Sequence, residues 1–563
     1  MKKNLLFLFA TVLSAALFAQ TPIQRVYTIL NTKCQNSTCH SASSAEALKF
    51  DGTSDQVWSS IYNRNSENAS SVTRYEKLIK PGHPYSSFLL KKIAGATFDT
   101  DLSLDATDGA LMLDINGDTL SKKEIEFVRQ WIMCGAKKAY SGSEIAPSWQ
   151  IISDYYDNPV NPFLPKPMKP AAGTGIQLRM GPVLVGTGSS ETEREYLLQQ
   201  EVNFPYLAEI NKIDGFMNQQ SHHFLLFRFQ DSTAANARAY QMERVSLTGG
   251  TTSFDGDKDL TSSWQDDAEF NLPTGTALFW PKKTFLDMNY HVKNYNATAV
   301  LPCDFYFNVY FQPRTASTIE MKSALVNNAT LFLPQGVQTR DYDDPANNQS
   351  TVETRYLWAL ASHAHKYGTD YDLFVRDSTG QIGEQIYEGF YDYALDYDKG
   401  FYDWEHPSLR YWNNFKPIKF GRQNGNKSGI VARTTWNVQQ SFVTFGFTTS
   451  DEMQLFYYMY TSQNPFAITG VETVADDAIN FTVYPNPMNN TGSLIYTLNE
   501  DLNIKATITD VTGKVVASLT EELQSKGTHT VSIGENNSLA KGIYFANVTV
   551  NGKTSTKKFI VTE

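Results

Sequence analysis

A chain of 563 residues is too long for one hydrophobic core, and its length predicts three or four domains. With 30 Tyr, 34 Phe and only 19% charged residues, the composition favours β-rich domains over helical bundles. A net charge of −11, with no basic run or stripe, argues against nucleic acid as a partner.

The chain opens "MKKNLLFLFATVLSAALFAQ", a basic start, a short apolar core and small residues near Ala19. Residues 1–19 therefore read as a secretory signal, and no other segment is long and apolar enough to span a bilayer. Four cysteines (Cys34, Cys39, Cys134, Cys303) are too few for a disulfide scaffold in an oxidising compartment, but three of them lie in the first quarter.

Residues 20–142 read as helical with polar loops. "SKKEIEFVRQWIMCGA" (Ser121–Ala136) has a Ser N-cap, a Glu three residues on, apolar residues at helical spacing and a Gly stop. Earlier, "NTKCQNSTCHSAS" offers Cys34-x4-Cys39-His40, a longer variant of the C-x-x-C-H haem c attachment. A disulfide, Cys34–Cys39 or one of them with Cys134, is the alternative. "DINGDTLSKKE" is no EF-hand, because its sixth position is not Gly and its twelfth is not Glu. The segments "LIKPGHPYSSFLLKKI" and "ALMLDINGDTLSKKEIEFVRQWIMCGA" resemble the cytochrome c-like domain of planctomycete-type exported proteins. The resemblance implies haem c on Cys34 and Cys39, with His40 and Met112 as axial ligands. Leu113 stands where that family often has proline. Residues 143–175, with "DNPVNPFLPKPMKPAAGTG", then read as a Pro/Gly-rich linker.

From residue 176 the pattern changes to short strands rich in aromatic and β-branched residues, such as "DFYFNVYFQ", "DYDLFVRD" and "QSFVTFGFTT". The length suits two β-sandwich or jelly-roll domains, 176–316 and 317–468, with a break near Arg314–Thr318. Five of the nine histidines fall here: His222-His223, His291 and His363-Ala-His365. On a strand, residues i and i+2 share a face, so His363 and His365 are placed to converge on one ion. Adjacent histidines on a strand point oppositely, so His222 and His223 require a twist or bulge to share a metal, or a third ligand such as His291. Each histidine alone reads more readily as an ordinary core or surface residue than as a ligand. Imidazole suits copper or zinc, whereas a thioether at Met453 in "TTSDEMQLFYYMY" favours Cu(I); otherwise Met453 is a core residue.

The ordered set His-His, His, His-x-His, Asp-Glu-Met resembles the copper type II, ascorbate-dependent monooxygenases, the family of dopamine β-monooxygenase and peptidylglycine α-hydroxylating monooxygenase. "LASHAHKYG" and "SDEM" are its most specific pieces, and "NYHVKN" matches loosely. The resemblance implies two successive eight-stranded jelly rolls, each holding one copper across a solvent cleft. It implies His222, His223 and His291 on an electron-storing copper, and His363, His365 and Met453 as catalytic ligands of a copper that binds dioxygen. Hydroxylation of a substrate C–H bond follows, with ascorbate or another external reductant, or a fused haem, as electron source. Tyr457 matches a substrate-binding tyrosine, but Ala361 stands where amidating enzymes place an arginine, which puts peptide amidation in doubt. The substrate class is a small molecule or peptide. The animal enzymes are laced with disulfides, while this region holds only Cys303, so packing alone must hold it. A non-catalytic copper-binding or electron-transfer protein is the alternative. No G-x-S-x-G, P-loop or H-E-x-x-H supports a hydrolase, and His406 in "YDWEHP" reads as structural.

Residues 469–563 begin "FTVYPNP" after "TGVETVADD" and continue as alternating strands, which predicts an antiparallel β-sandwich. "VYPNP", "DVTGKVV", "KGIYFANV" and "KKFIVTE" resemble the type A sorting domain of type IX secretion. That implies an encounter with the secretion machinery and a secreted or outer-membrane-surface destination. The expected fold class is thus multidomain and mainly β: a small α-helical cytochrome c-like domain, two tandem jelly rolls and a C-terminal sandwich.

Overall fold

The computed structural model describes residues 20–34, 40, 48–74, 76–114, 116–141, 144–187, 193–218, 221–230, 258–264, 268–446, 449–466, 479, 481–534, 538–550 and 553–562. The signal segment 1–19 lies outside them. Two units emerge, Met1–Phe466 and Ala467–Glu563.

The first quarter is helical: α1 Pro22–Cys34, α2 Ser54–Ile61, α3 Ala69–Thr73, α4 Phe88–Ala94, α5 Lys122–Met133 and α6 Trp149–Asp157. Helix α5 starts where the sequence places it, because Ser121 and Glu124 form a reciprocal capping box that satisfies two orphan N–H groups. From Ile125 to Met133 every residue of α5 is buried. Trp131, Ile132 and Val128 pack with α1 and α4 residues, whereas Met133 joins the core of the β region. The stretch 143–175 is more than a linker. Ser148 caps α6, whose Ile152 and Tyr155 are buried in the helical core, so apolar spacing in "SWQIISDYY" outweighs the surrounding prolines.

The next strands are β1 Gly175–Val185, β2 Glu193–Asn203, β3 Ala208–Met217, β4 Ser221–Phe229, β5 Lys258–Trp264, β6 Ala268–Asn271, β7 Thr276–Trp280, β8 Lys283–Lys293 and β9 Leu301–Pro313. They form one layer in the order β1-β9-β3-β7, with β6 on β3, and a second layer β2-β8-β4-β5. Phe224 of β4 stacks on Phe305 of β9 at 3.7 Å, ring centroid to ring centroid, across this core. In β1 a bulge between Met180 and Val183 centres on Gly181, at φ 114°. A Cβ there would lie 2.8 Å from the Cys303 carbonyl, so glycine lets the strands close. The adjoining Pro182 carbonyl accepts from Gln130 Nε2 of α5 at 2.8 Å.

The later strands are β10 Ile319–Asn327, β11 Phe332–Asp343, β12 Glu353–His363, β13 Gly368–Arg376, β14 Ile382–Glu388, β15 Tyr391–Asp392, β16 Tyr397–Asp398, β17 Leu409–Gln423, β18 Asn426–Thr444 and β19 Leu455–Thr461. The order β10-β19-β12-β17-β18-β13-β14 continues from β7, and β11 pairs with β18. A short parallel pairing, Ile319↔Thr276 and Glu320↔Ala277, joins β10 to β7. One apolar cluster accordingly contains Leu278 and Met288 together with Trp358, Tyr457 and Met459. The regions that the sequence divides at 142 and 316 therefore belong to a single unit.

A buried ionic cluster binds the helices to β1 and β9. Arg179 reaches Asp304 through Nε at 2.9 Å and Asp99 through Nη1 at 2.8 Å, and Arg129 of α5 reaches Asp99 at 3.2 Å. Glu126 pairs with Arg129 from one turn earlier on α5.

In the second unit, seven strands among the described residues form a three-stranded and a four-stranded sheet, each antiparallel. Leu494, Tyr496, Ile508, Ala546 and Phe559 fill the core.

Candidate metal centre

Strands β4 and β8 pair antiparallel, with His223 directly opposite His291. Ser221 pairs with Val292, so two steps on β4 match one on β8, and the extra residue is His222. This is the bulge that two neighbouring histidines need if both are to serve one face. The side chain of His222 lies outside the described residues. His291 is 3% exposed, and its ring meets that of His223 edge-on at 4.9 Å.

His363 is the last residue of β12 and pairs with Leu455, while His365 falls just beyond the strand, in the turn that Gly368 N–H closes onto the His365 carbonyl. The pair is thus carried by a strand end and a turn, not by one continuous strand face. Its rings still lie 5.1 Å apart. A Cβ at Gly368 would sit 2.9 Å from that of Ala364, which restricts the turn to glycine.

Glu452 organises this half. It is fully buried, and its Oε2 accepts from the N–H groups of His365 (3.0 Å) and Met453 (3.1 Å) and from Trp436 Nε1 (3.0 Å). Its Oε1 accepts from Tyr367 N–H at 2.8 Å. Burial pushes the carboxyl up to about 7 against the pull of these four donors. His365 Nδ1 lies 3.2 Å from the Asp451 carbonyl, which can only accept, so Nδ1 carries the proton and Nε2 keeps its lone pair. Met453 is 3% exposed. Burial, then His365 and His291, depress His363 to about 3, which keeps its ring neutral and able to donate to a cation.

The two histidine sets meet. His223 and His363 approach edge-on with ring centroids 6.2 Å apart. The expected solvent cleft between two separate centres does not lie between these rings, because a shared apolar core draws the β4/β8 layer against β12 and β19. Tyr457 is opposite Ala361 in register and sits in that shared core, and burial, then Tyr411, raises its hydroxyl well above the ordinary range.

Sequence reasoning quoted Glu452 within "SDEM" but gave it no role. The available signal was an acid immediately before a candidate ligand at the head of an apolar strand. It also missed Asp370, Asp372 and Glu388, whose carboxylates lie within 4.8 Å of one another. Burial, then Asp370 and Glu388, push Asp372 up to about 7. A folded-state pKa above the unfolded one means this group costs stability as pH rises from about 4 to about 7. Asp372→Asn is expected to gain about 1 kcal/mol at pH 8 and to flatten that dependence in urea titrations, the partial exposure of the site keeping the effect small.

At the N-terminal site, Cys34 ends α1 and is buried, and Cys39 lies outside the described residues. His40 Nδ1 is 2.8 Å from the Leu48 carbonyl, and its ring lies 4.6 Å from Phe50. Met112 packs on the same apolar cluster that holds Cys34 and Phe50.

Residues 482–562 match the family model described as a secretion system C-terminal sorting domain. The chain therefore carries a type IX sorting signal, which directs it to secretion or to the outer-membrane surface. No curated protein matches the chain in sequence. Among solved structures, the chain is similar to PNGase F, a glycosylasparaginase from Flavobacterium meningosepticum, at 10% identity and TM-score 0.23, over 52% of this chain and 96% of that one. It is also similar to the major capsid protein P2 of bacteriophage PM2, at 8% identity and TM-score 0.21, over 48% and 98%. At these scores neither likeness carries an argument. Among the described residues, no helix is long and apolar enough to cross a membrane.

Proposed function

We propose that this exported protein is a copper-dependent monooxygenase, with His222, His223 and His291 serving one copper and His363, His365 and Met453 the other. The observation that carries the reading is the convergence of His223, His291 and the His363/His365 pair from three separate chain segments, with the N–H groups of Met453 and His365 both held by Glu452 Oε2. Bound copper would supply one-electron and dioxygen chemistry. The chain's own residues do the rest. Glu452 aligns the backbone of both His365 and Met453, and the Asp451 carbonyl fixes the His365 tautomer. The neutral ring of His363 presents lone-pair density, and the thioether selects a soft ion. Jelly-roll topology in both β regions belongs to the same reading.

A second reading, a non-catalytic copper or electron-transfer protein, is favoured by Tyr457. The residue that matches a substrate contact is only 8% exposed. The two are separated by metal analysis with oxygen uptake. Two coppers per chain and ascorbate-driven uptake, lowered at least about tenfold in Met453→Ala, support the enzyme. Two coppers without uptake for any C–H substrate support the second reading.

The N-terminal region fits a haem c module that would act as internal redox partner. His40 donates Nδ1–H to a backbone carbonyl and leaves Nε2 for iron, and Cys34 and Met112 share one apolar cluster. Protein from the native exporter is expected to give a haemochrome spectrum that survives denaturation, and Cys34→Ser is expected to weaken or abolish the covalent attachment.

A further inference from the structure

We infer that the tyrosine-rich segment from Tyr387 to Tyr402 is a one-electron relay that draws oxidising equivalents away from the His363/His365 pair and delivers them to Tyr391. The inference rests on the copper reading above and adds a protective function to it. Tyr402 and Tyr387 are buried, and their hydroxyls both meet Ser362 Oγ, at 3.2 and 3.1 Å. Ser362 directly precedes His363. On the other flank of the pair, a Cβ at Gly368 would lie 3.5 Å from the Tyr402 ring, so this ring packs under the turn that carries His365. From Tyr387 the rings lead outward. Tyr393 lies 5.5 Å from Tyr387, and Tyr391 lies 5.0 Å from Tyr393, centroid to centroid.

The hydrogen bonds give the relay a direction. Ser362 donates to Tyr387, whose own hydroxyl donates to the Ser408 carbonyl at 2.7 Å, so the Ser362 oxygen accepts from Tyr402. A hydroxyl and an amide carbonyl are weak bases, so neither buried phenol has a group to take its proton on oxidation. Tyr393 accepts from the Glu388 N–H at 2.8 Å, and the Arg410 guanidinium lies 5.0 Å over its ring, which disfavours a positive hole resting there. Tyr391 differs. Its hydroxyl donates to the exposed Asp396 carboxylate within the β15–β16 hairpin, so its proton has an acceptor. The oxidant is hydroxyl radical, formed when hydrogen peroxide is reduced by one electron from reduced copper at the histidine cluster. It gains one electron and leaves as hydroxide. That electron comes from Tyr391 by way of Tyr393, Tyr387 and Tyr402. The Tyr391 O–H bond breaks and its proton forms an O–H bond on Asp396, leaving a neutral tyrosyl radical and a carboxylic acid.

The test mixes the full, copper-loaded and reduced chain with hydrogen peroxide, with copper content measured on the same sample. Electron paramagnetic resonance after freeze-quenching is expected to show a tyrosyl radical, and peptide mass spectrometry to place oxidation on Tyr391. In Tyr393→Phe the radical is expected to fall several-fold, while oxidation of His363 and His365 rises several-fold. Tyr391→Phe, at the outer end, is expected to raise histidine oxidation in the same way. Tyr397→Phe removes an exposed tyrosine of the same hairpin that lies off the relay, and is expected to change neither readout. A copper-loaded chain that forms no tyrosyl radical, or whose histidine oxidation is the same in wild type and all three variants, would overturn the relay and leave the copper reading intact. A chain that binds no copper would overturn both.

Discussion

A Glu452→Ala variant is expected to lose about 3–5 kcal/mol of folding stability, measured by chemical denaturation of the metal-free protein. The carboxyl receives four donors, and its removal leaves the N–H groups of His365, Tyr367 and Met453 and the Trp436 indole buried without their acceptor. Glu452→Gln separates size from charge. Its amide oxygen can replace Oε2 and keep three of the four bonds, but its NH2 then faces the Tyr367 N–H. A loss of only about 1–2 kcal/mol is expected for that variant. Copper affinity at the His365/Met453 half should fall in the same order, because both ligands hang from backbone that Glu452 holds. Equal stability in all three proteins would show that Glu452 is not the organiser.

Arg179→Leu is expected to cost a similar amount, about 3–5 kcal/mol, because it strands Asp304, which is fully buried, and takes one of two guanidiniums from Asp99. The effect carries a pH signature. Burial works against the Asp99 carboxylate, yet Arg179 and Arg129 more than offset it and hold its pKa below the usual value. A lowered folded-state pKa gives stability that is full above the unfolded value and is lost as pH falls through the folded one. The wild type should therefore lose this contribution only below about pH 4. In Arg179→Leu the Asp99 pKa should rise toward its ordinary value, so acid unfolding begins at higher pH. A denaturation series from pH 2 to 7 measures both.

The sequence and the structure agree wherever short-range chemistry decides. Ser121 and Glu124 announce α5, and Arg314–Thr318 is the connection between β9 and β10, although no unit boundary falls there. The adjacent histidines raised the need for a bulge, and the register places one at His222. Long-range pairing was not legible. Nothing local in Thr276–Trp280 says that it will run parallel to Ile319–Asn327, so two separate β domains were expected where one sheet runs through both regions. The proximity of His223 and His363 comes from packing of the β4/β8 layer against that sheet through the shared core, equally remote in sequence. Glu452 stayed unassigned for a related reason. Its partners His365, Tyr367 and Trp436 lie 87, 85 and 16 residues away, far beyond any motif window.

That parallel seam also decides where this chain can be cut. The 314–318 connection looks like a natural site for dissecting the protein into halves. Severing there and separating the pieces would uncover the short edges at Thr276–Ala277 and Ile319–Glu320, with their paired amides and carbonyls left unsatisfied. Such raw margins template pairing with other molecules, so the isolated halves are expected to self-associate.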